Sequence, residues 1–175
     1  MSALPRVIVV TGPVGAGKTT TAEAFRGVLE PRNESGAVID VDGLRNAWPV
    51  PEGDPFGNRL GTAHLAAMWP NFIETGTRWV VLADVIETDQ DRRRLQQALP
   101  GAEITVVRLD VPLEVIKERL LGREPDATID WYLHRAPELQ QIMIDNKVGD
   151  LVITVTDQSP AEIAEEIVNA VTGRA

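Results

Sequence analysis

Cysteine is missing from the 175-residue sequence, and histidine occurs only at His64 and His134. This excludes disulfides, thiol nucleophiles and Cys-type zinc sites, and leaves no helical histidine pair for a metal. Positive charge is scarce as well: 17 Lys and Arg stand against 26 Asp and Glu, a formal net charge of −9. That balance argues against a general nucleic-acid binder or a polybasic membrane-surface protein. No apolar run approaches the roughly 18 residues of a membrane span. The opening Met-Ser-Ala-Leu-Pro-Arg carries no signal core, so the expectation is a cytoplasmic chain with neither nucleic-acid nor membrane partners. Internal repeats and Ser/Gly linkers are lacking too. Residues 1–175 are therefore expected to form a single domain, burying roughly 70% of the surface of the unfolded chain.

What the sequence does have is an alternation of short β-branched runs with helix-period segments. Arg6–Val10, Ala37–Ile39, Trp79–Ala83, Ile104–Leu109 and Leu151–Val155 are apolar on both faces, as strands are in a parallel sheet covered on both sides. Between them, Ala22, Phe25, Val28 and Leu29 mark one helix face, Leu60, His64, Met68 and Phe72 a second, and Leu113, Ile116 and Leu120 a third. Ser159-Pro-Ala-Glu162 opens the last helix with a capping box and proline in the first turn. The pattern predicts a doubly wound α/β sheet with right-handed crossovers and a ligand site beyond the carboxyl ends of the strands. Trp48–Gly57, with three prolines, cannot be a regular element. It reads either as a rigid surface connection or as the wall of a substrate pocket.

The first run leads straight into Gly12-Pro-Val-Gly-Ala-Gly-Lys-Thr19, a full G-x-x-x-x-G-K-[ST] match between a strand and a helix start. In that setting the loop Gly12, Pro13, Val14, Gly15, Ala16 and Gly17 brings its amide N–H groups, which all but the proline carry, and the positive helix end to converge on a phosphate-sized hollow. Lys18 is placed for the β and γ phosphates of a nucleoside triphosphate, and Thr19 for Mg²⁺. Thr20 is placed either for the α phosphate or simply to start the helix.

The second run ends in Ile39-Asp-Val-Asp-Gly-Leu-Arg45. Strand alternation sets Asp40 and Asp42 on one side, above the sheet. One suits Mg²⁺ or its waters and the other suits taking a proton from an acceptor hydroxyl. Asp42 is read as base or as helix cap, and Arg45 as an anchor for the acceptor. Asp84, ending the third run, competes with Asp40 for the metal, with Asp40 favoured there and Asp84 placed nearer the acceptor. Arg119 and Arg123, four apart before Glu124-Pro125-Asp126, fit either a lid that brings cations over the migrating phosphoryl group or a solvated helix end complementing its dipole. Arg135 is a further candidate cation. His64, Trp69 and Trp79 read as core, and Asp91–Arg94 as a solvated helix start.

These segments together resemble the small P-loop kinases typified by adenylylsulfate kinase, chloramphenicol phosphotransferase, shikimate kinase and gluconate kinase. The resemblance implies a three-layer domain with a five-stranded parallel sheet in the order 2-3-1-4-5 and a lid around residues 119–135. It implies ATP with Mg²⁺, Asp42 as the acceptor-side base, Arg119 and Arg123 as lid residues, and adenine lying near Thr156-Asp157-Gln158. Two departures stand out: Asp40-Val-Asp42 replaces the Asp-Gly-Asp of adenylylsulfate kinases, and no aromatic pair is evident for a purine acceptor. The expected activity is transfer of the γ-phosphoryl group to a small-molecule hydroxyl. The alternative is a regulatory NTPase, but guanine reading fails, since Asn146-Lys147 is followed by Gly149 where an acidic residue is needed.

Overall fold

The computed structural model describes residues 4–173. Five strands form one parallel sheet: β1 (Arg6–Thr11), β2 (Gly36–Asp40), β3 (Trp79–Ala83), β4 (Glu103–Asp110) and β5 (Leu151–Thr154), in the order β2-β3-β1-β4-β5. The helices are α1 (Lys18–Leu29), α2 (Val41–Arg45), α3 (Asn58–Glu74), α4 (Asp89–Ala98), α5 (Leu113–Arg123), α6 (Asp126–Asp145) and α7 (Pro160–Thr172), with one 3₁₀ turn at Glu30–Arg32. The doubly wound architecture is the one the sequence pattern predicts, and the strand order is the one the family resemblance implies. No described helix is long and apolar enough to cross a membrane.

Alternation along β1 sorts the core into two bodies. Ile8 and Val10 point to one face of the sheet, where they pack with Phe25 of α1, Ile116 and Leu120 of α5, and Ile167 of α7. Val7 and Val9 point to the other, against Leu65 and Trp69 of α3, Leu95 of α4 and Met143 of α6. Neighbouring strands stay in register, with Val9 beside Leu82 on β3 and beside Val106 on β4. Val14, in the glycine-rich loop, packs against both bodies.

Several helices differ from their sequence-derived outline. The buried stripe of α3 is Gly61, Leu65 and Trp69, one position on from the expected Leu60, His64, Met68 and Phe72. His64 is exposed, its Nδ1 2.9 Å from the Leu44 carbonyl oxygen, so it is not the core histidine expected. A glycine carries no hydropathy signal, which hid the true stripe; Gly61 faces inward because another side chain needs its space. The last helix starts as expected, with Ser159 and Glu162 capping one another. The Asp91–Arg94 cluster does begin a helix, capped by Thr88 and Asp91 in the same manner. Helix α6 starts at Asp126, so the connection after α5 is a joint of only two residues, Glu124 and Pro125.

Candidate active site

The glycine-rich loop leaves β1 and turns at Gly15 (φ 82°) and Gly17 (φ 93°). A Cβ on Gly15 would lie 3.1 Å from Ile116 and Leu120, so the loop packs directly on α5 and no larger residue fits. The N-terminal turn of α1 follows, its free amides directed at the hollow. Lys18 Nζ donates to the carbonyl oxygens of Gly12 and Pro13, both at 3.1 Å, and so closes over the nest. Burial at the floor of the recess pushes Lys18 down to about 8, against the pull of Asp42, Asp84 and Asp40, and Arg123 adds to the fall. All three sequence-selected carboxylates are therefore within electrostatic reach of the lysine.

Thr19 Oγ1 donates to Asp40 Oδ2 at 2.7 Å. The other oxygen of Asp40 accepts from the Asp42 amide at 3.1 Å and caps α2. Two sequence-derived readings change here. Strand β2 ends at Asp40, so Asp42 lies in the first turn of a helix and not on the strand face. The cap of that helix is Asp40, so the reading of Asp42 as the cap is overturned. Asp42 keeps a largely exposed carboxylate, with Arg45 Nη1 3.5 Å from it. Thr20 is exposed at the start of α1.

Arg45 closes the α2 turn and also donates through Nη2 to Asp84. Asp84 follows β3 and is 4% exposed; its own backbone amide bonds to Val10 of β1. Burial pushes Asp84 up to about 6, held back by Arg45 and by the Val85 amide. The backbone and stem of Arg45 are seated on glycines: a Cβ on Gly57 (φ 63°) would lie 2.8 Å from the Arg45 carbonyl oxygen, and one on Gly61 2.8 Å from its Cγ. Asp54, itself buried, accepts from the amides of Arg59 and Leu60 at 3.0 and 3.2 Å. The proline-rich segment is thereby stitched to the start of α3 and packs under the site.

Across the loop, Arg119 Nη1 donates to the Ala16 carbonyl oxygen at 3.2 Å and the Gly15 carbonyl oxygen at 3.4 Å. Arg123, on the same face of α5, donates instead to Glu124 at 2.6 Å. Asp157 lies in the loop after β5 and accepts from the Thr156 hydroxyl at 3.0 Å. Arg135 reaches the site region but is held by Glu87 at 2.7 Å and Glu138 at 2.8 Å.

Beside Asp42 opens a cavity of about 230 Å³, bounded by Val14, Arg45, Val85 and Leu139, and by Phe56, Trp131 and Tyr132. These aromatics escaped the sequence reading, which found none placed for an acceptor. They come from the proline-rich segment and from α6, some 75 residues apart, and only the tertiary fold brings them together. Trp131 is 55% exposed.

Thr19 and Asp40 supply two adjacent oxygen ligands, a set that suits a hard cation such as Mg²⁺, which keeps its remaining positions for phosphate oxygens and water. The observed bond between them shows that both oxygens reach one point. With Lys18 and the amide nest alongside, the residues fit a magnesium–nucleotide complex. Because Lys18 titrates near 8, affinity for a non-hydrolysable ATP analogue is expected to hold up to about pH 8 and then to fall about tenfold per unit. A bound polyanion stabilises the protonated amine, so binding takes up a proton above that pH. Calorimetric titration from pH 6.5 to 9.5 measures this, and a flat profile would show that Lys18 stays charged.

A family model described as Zeta toxin matches residues 2–54, which span the loop and the Asp40–Arg45 turn. An adenylyl-sulfate kinase of Paraburkholderia xenovorans (strain LB400) is 33% identical over 117 residues, covering 65% of this chain and 63% of that protein, so just over a third of the relative lies outside the match. Among solved structures, the Mycobacterium tuberculosis APS kinase in complex with AMPPNP and APS aligns over 97% of this chain and 98% of its own, with a TM-score of 0.66 at 22% identity. The Deinococcus radiodurans tunicamycin resistance protein aligns over 98% and 97%, with a TM-score of 0.65 at 20% identity. The Acinetobacter baumannii shikimate kinase in complex with shikimate covers 98% and 95%, with a TM-score of 0.64 at 19% identity. The chain thus has the fold of the small P-loop kinases and is similar in sequence to one of them, an adenylyl-sulfate kinase.

Proposed function

We propose that the protein is a Mg²⁺- and ATP-dependent phosphotransferase that moves the γ-phosphoryl group to a hydroxyl of a small molecule. The observation that carries this reading is the Thr19–Asp40 bond beside Lys18, with the exposed Asp42 carboxylate two residues on and a separate cavity opening next to it. A nucleotide switch needs a phosphate nest and a metal ligand; it has no use for a second pocket facing a solvent-accessible carboxylate.

In this reading the loop amides and Lys18 hold the β and γ phosphates, and Arg119 lies over the loop to neutralise charge as the γ group migrates. When bound through Thr19 and Asp40, magnesium supplies further neutralisation of the phosphate oxygens. Asp42 accepts the proton of the acceptor hydroxyl as its oxygen bonds to Pγ and the Pγ–O bond to the β phosphate breaks, releasing ADP. Arg45 orients Asp42, and Asp84 holds Arg45 from behind. Residues 119–135 act as the lid: Arg123 exchanges Glu124 for the nucleotide, and the two-residue joint before α6 serves as the hinge. Adenine lies beside Thr156-Asp157-Gln158.

The test is incubation with ATP, Mg²⁺ and a panel of antibiotics, sugars, nucleosides and cyclitols, with products identified by mass spectrometry. The expected result is slow ATP hydrolysis alone and a phosphorylated product with one acceptor class. ADP and free phosphate from every mixture would instead mark a regulatory NTPase.

A further inference from the structure

The cavity beside Asp42 combines two features that narrow the acceptor. The first is apolar. Phe56 is 65% exposed and Trp131 55% exposed, large rings left in water at a cavity that Tyr132 also lines. Trp131 and Tyr132 meet edge to face, their centroids 4.9 Å apart, which fixes the orientation of that wall. Exposed aromatic side chains gathered around a cavity mark a binding surface more often than a chance of packing.

The second is electrostatic. Two guanidiniums border the cavity, and each already faces two carboxylates, although Arg45 Nε has no partner among the described residues. Arg45 donates to Asp84 and faces Asp42; Arg135 donates to Glu87 and Glu138. The carboxylates at the border are Asp42, Glu87 and Asp91, the last held by Arg94 and by the amides of Glu87 and Thr88. The border therefore carries one more negative than positive charge, with Asp84 behind it. A carboxylate, phosphate or sulfate on the acceptor would have to share Arg45 with Asp84 and Asp42, or Arg135 with its two glutamates, at a border already in negative excess.

From these two features we infer that the acceptor is an uncharged or cationic hydroxyl compound with a planar aromatic face, seated against Phe56 and the Trp131–Tyr132 wall with its hydroxyl at Asp42. The inference rests on the phosphotransferase reading and sharpens its substrate class.

Matched pairs test it on the full chain with ATP and Mg²⁺: phenyl β-D-glucoside against phenyl β-D-glucuronide, adenosine against adenylyl sulfate, and phenyl against methyl β-D-glucoside, with shikimate and gluconate as further anions. The neutral aryl member of each pair is expected to have at least about a tenfold higher kcat/KM. Trp131→Ala and Phe56→Ala, both at exposed positions, are expected to raise KM for the aryl acceptor about tenfold while KM for ATP stays within about twofold. Preference for an anionic member, equal use of the methyl and phenyl glucosides, or an unchanged acceptor KM in both variants overturns the acceptor class and leaves the phosphotransferase reading standing. Absence of product from every compound, with the ATP analogue still bound, overturns both.

Discussion

Asp42→Asn is expected to lower phosphoryl transfer by about a hundredfold or more, with binding of an ATP analogue unchanged. The substitution keeps the size and polarity of the side chain and removes only its capacity to take a proton. Its effect on the fold is small, because the cap of α2 comes from Asp40 and the Asp42 contribution to that cap is its backbone amide. The remaining candidate base, Asp84, is 4% exposed and already bonded to Arg45, so it cannot substitute without opening the site. Measurement of kcat beside the analogue dissociation constant separates the two roles. A variant with full turnover would leave Asp42 as an electrostatic neighbour of Lys18 and nothing more.

Arg119→Ala is expected to be costlier, about a thousandfold in kcat, the scale on which a transition-state arginine acts in phosphoryl transfer. Arg119 rests on the carbonyls of Gly15 and Ala16 before any nucleotide arrives, so the guanidinium is preorganised over the loop. Arg123 differs, because its guanidinium is paired with Glu124 and must be released first. Arg123→Ala should thus cost less, about tenfold, and mainly at the closing step. Arg119→Lys restores charge but not the forked geometry and is expected to recover little. Single-turnover kinetics distinguish the pair: loss at Arg119 belongs to the chemical step, loss at Arg123 to the step before it. Equal effects would show that the two arginines act as one lid.

The fold was legible because each of its devices is local. The glycine-rich loop, the five doubly apolar runs and the Ser159–Glu162 capping box each sit within a few residues of one another, and their order dictates the sheet. Part of the site was legible for the same reason: Lys18 and Thr19 follow from the loop, and Asp40, Asp42 and Arg45 lie on one short turn. The register of that turn was not, since the strand stops at Asp40, two residues short of where alternation would set both carboxylates on one side. Gly61 shows a second limit, for its inward position is dictated by Arg45 of another helix and no hydropathy pattern records it. Phe56, Trp131 and Tyr132 show a third. Each alone reads as loop or packing, and their meaning arises only from a cavity assembled across the sheet end.

The two hydrophobic bodies on opposite faces of the sheet have a consequence for how such a protein diversifies. One supports α1, α5 and α7 around the phosphate loop, and the other supports α3, α4 and much of α6 around the cavity. Changes to residues separated by the full thickness of the sheet are expected to add and not to couple. Under the proposed function, new acceptor contacts would accumulate on one side while the phosphate loop stays intact on the other. That independence ends at Val14, which touches both bodies and borders the cavity, and at Tyr132, which borders the cavity while packing on the body under the phosphate loop.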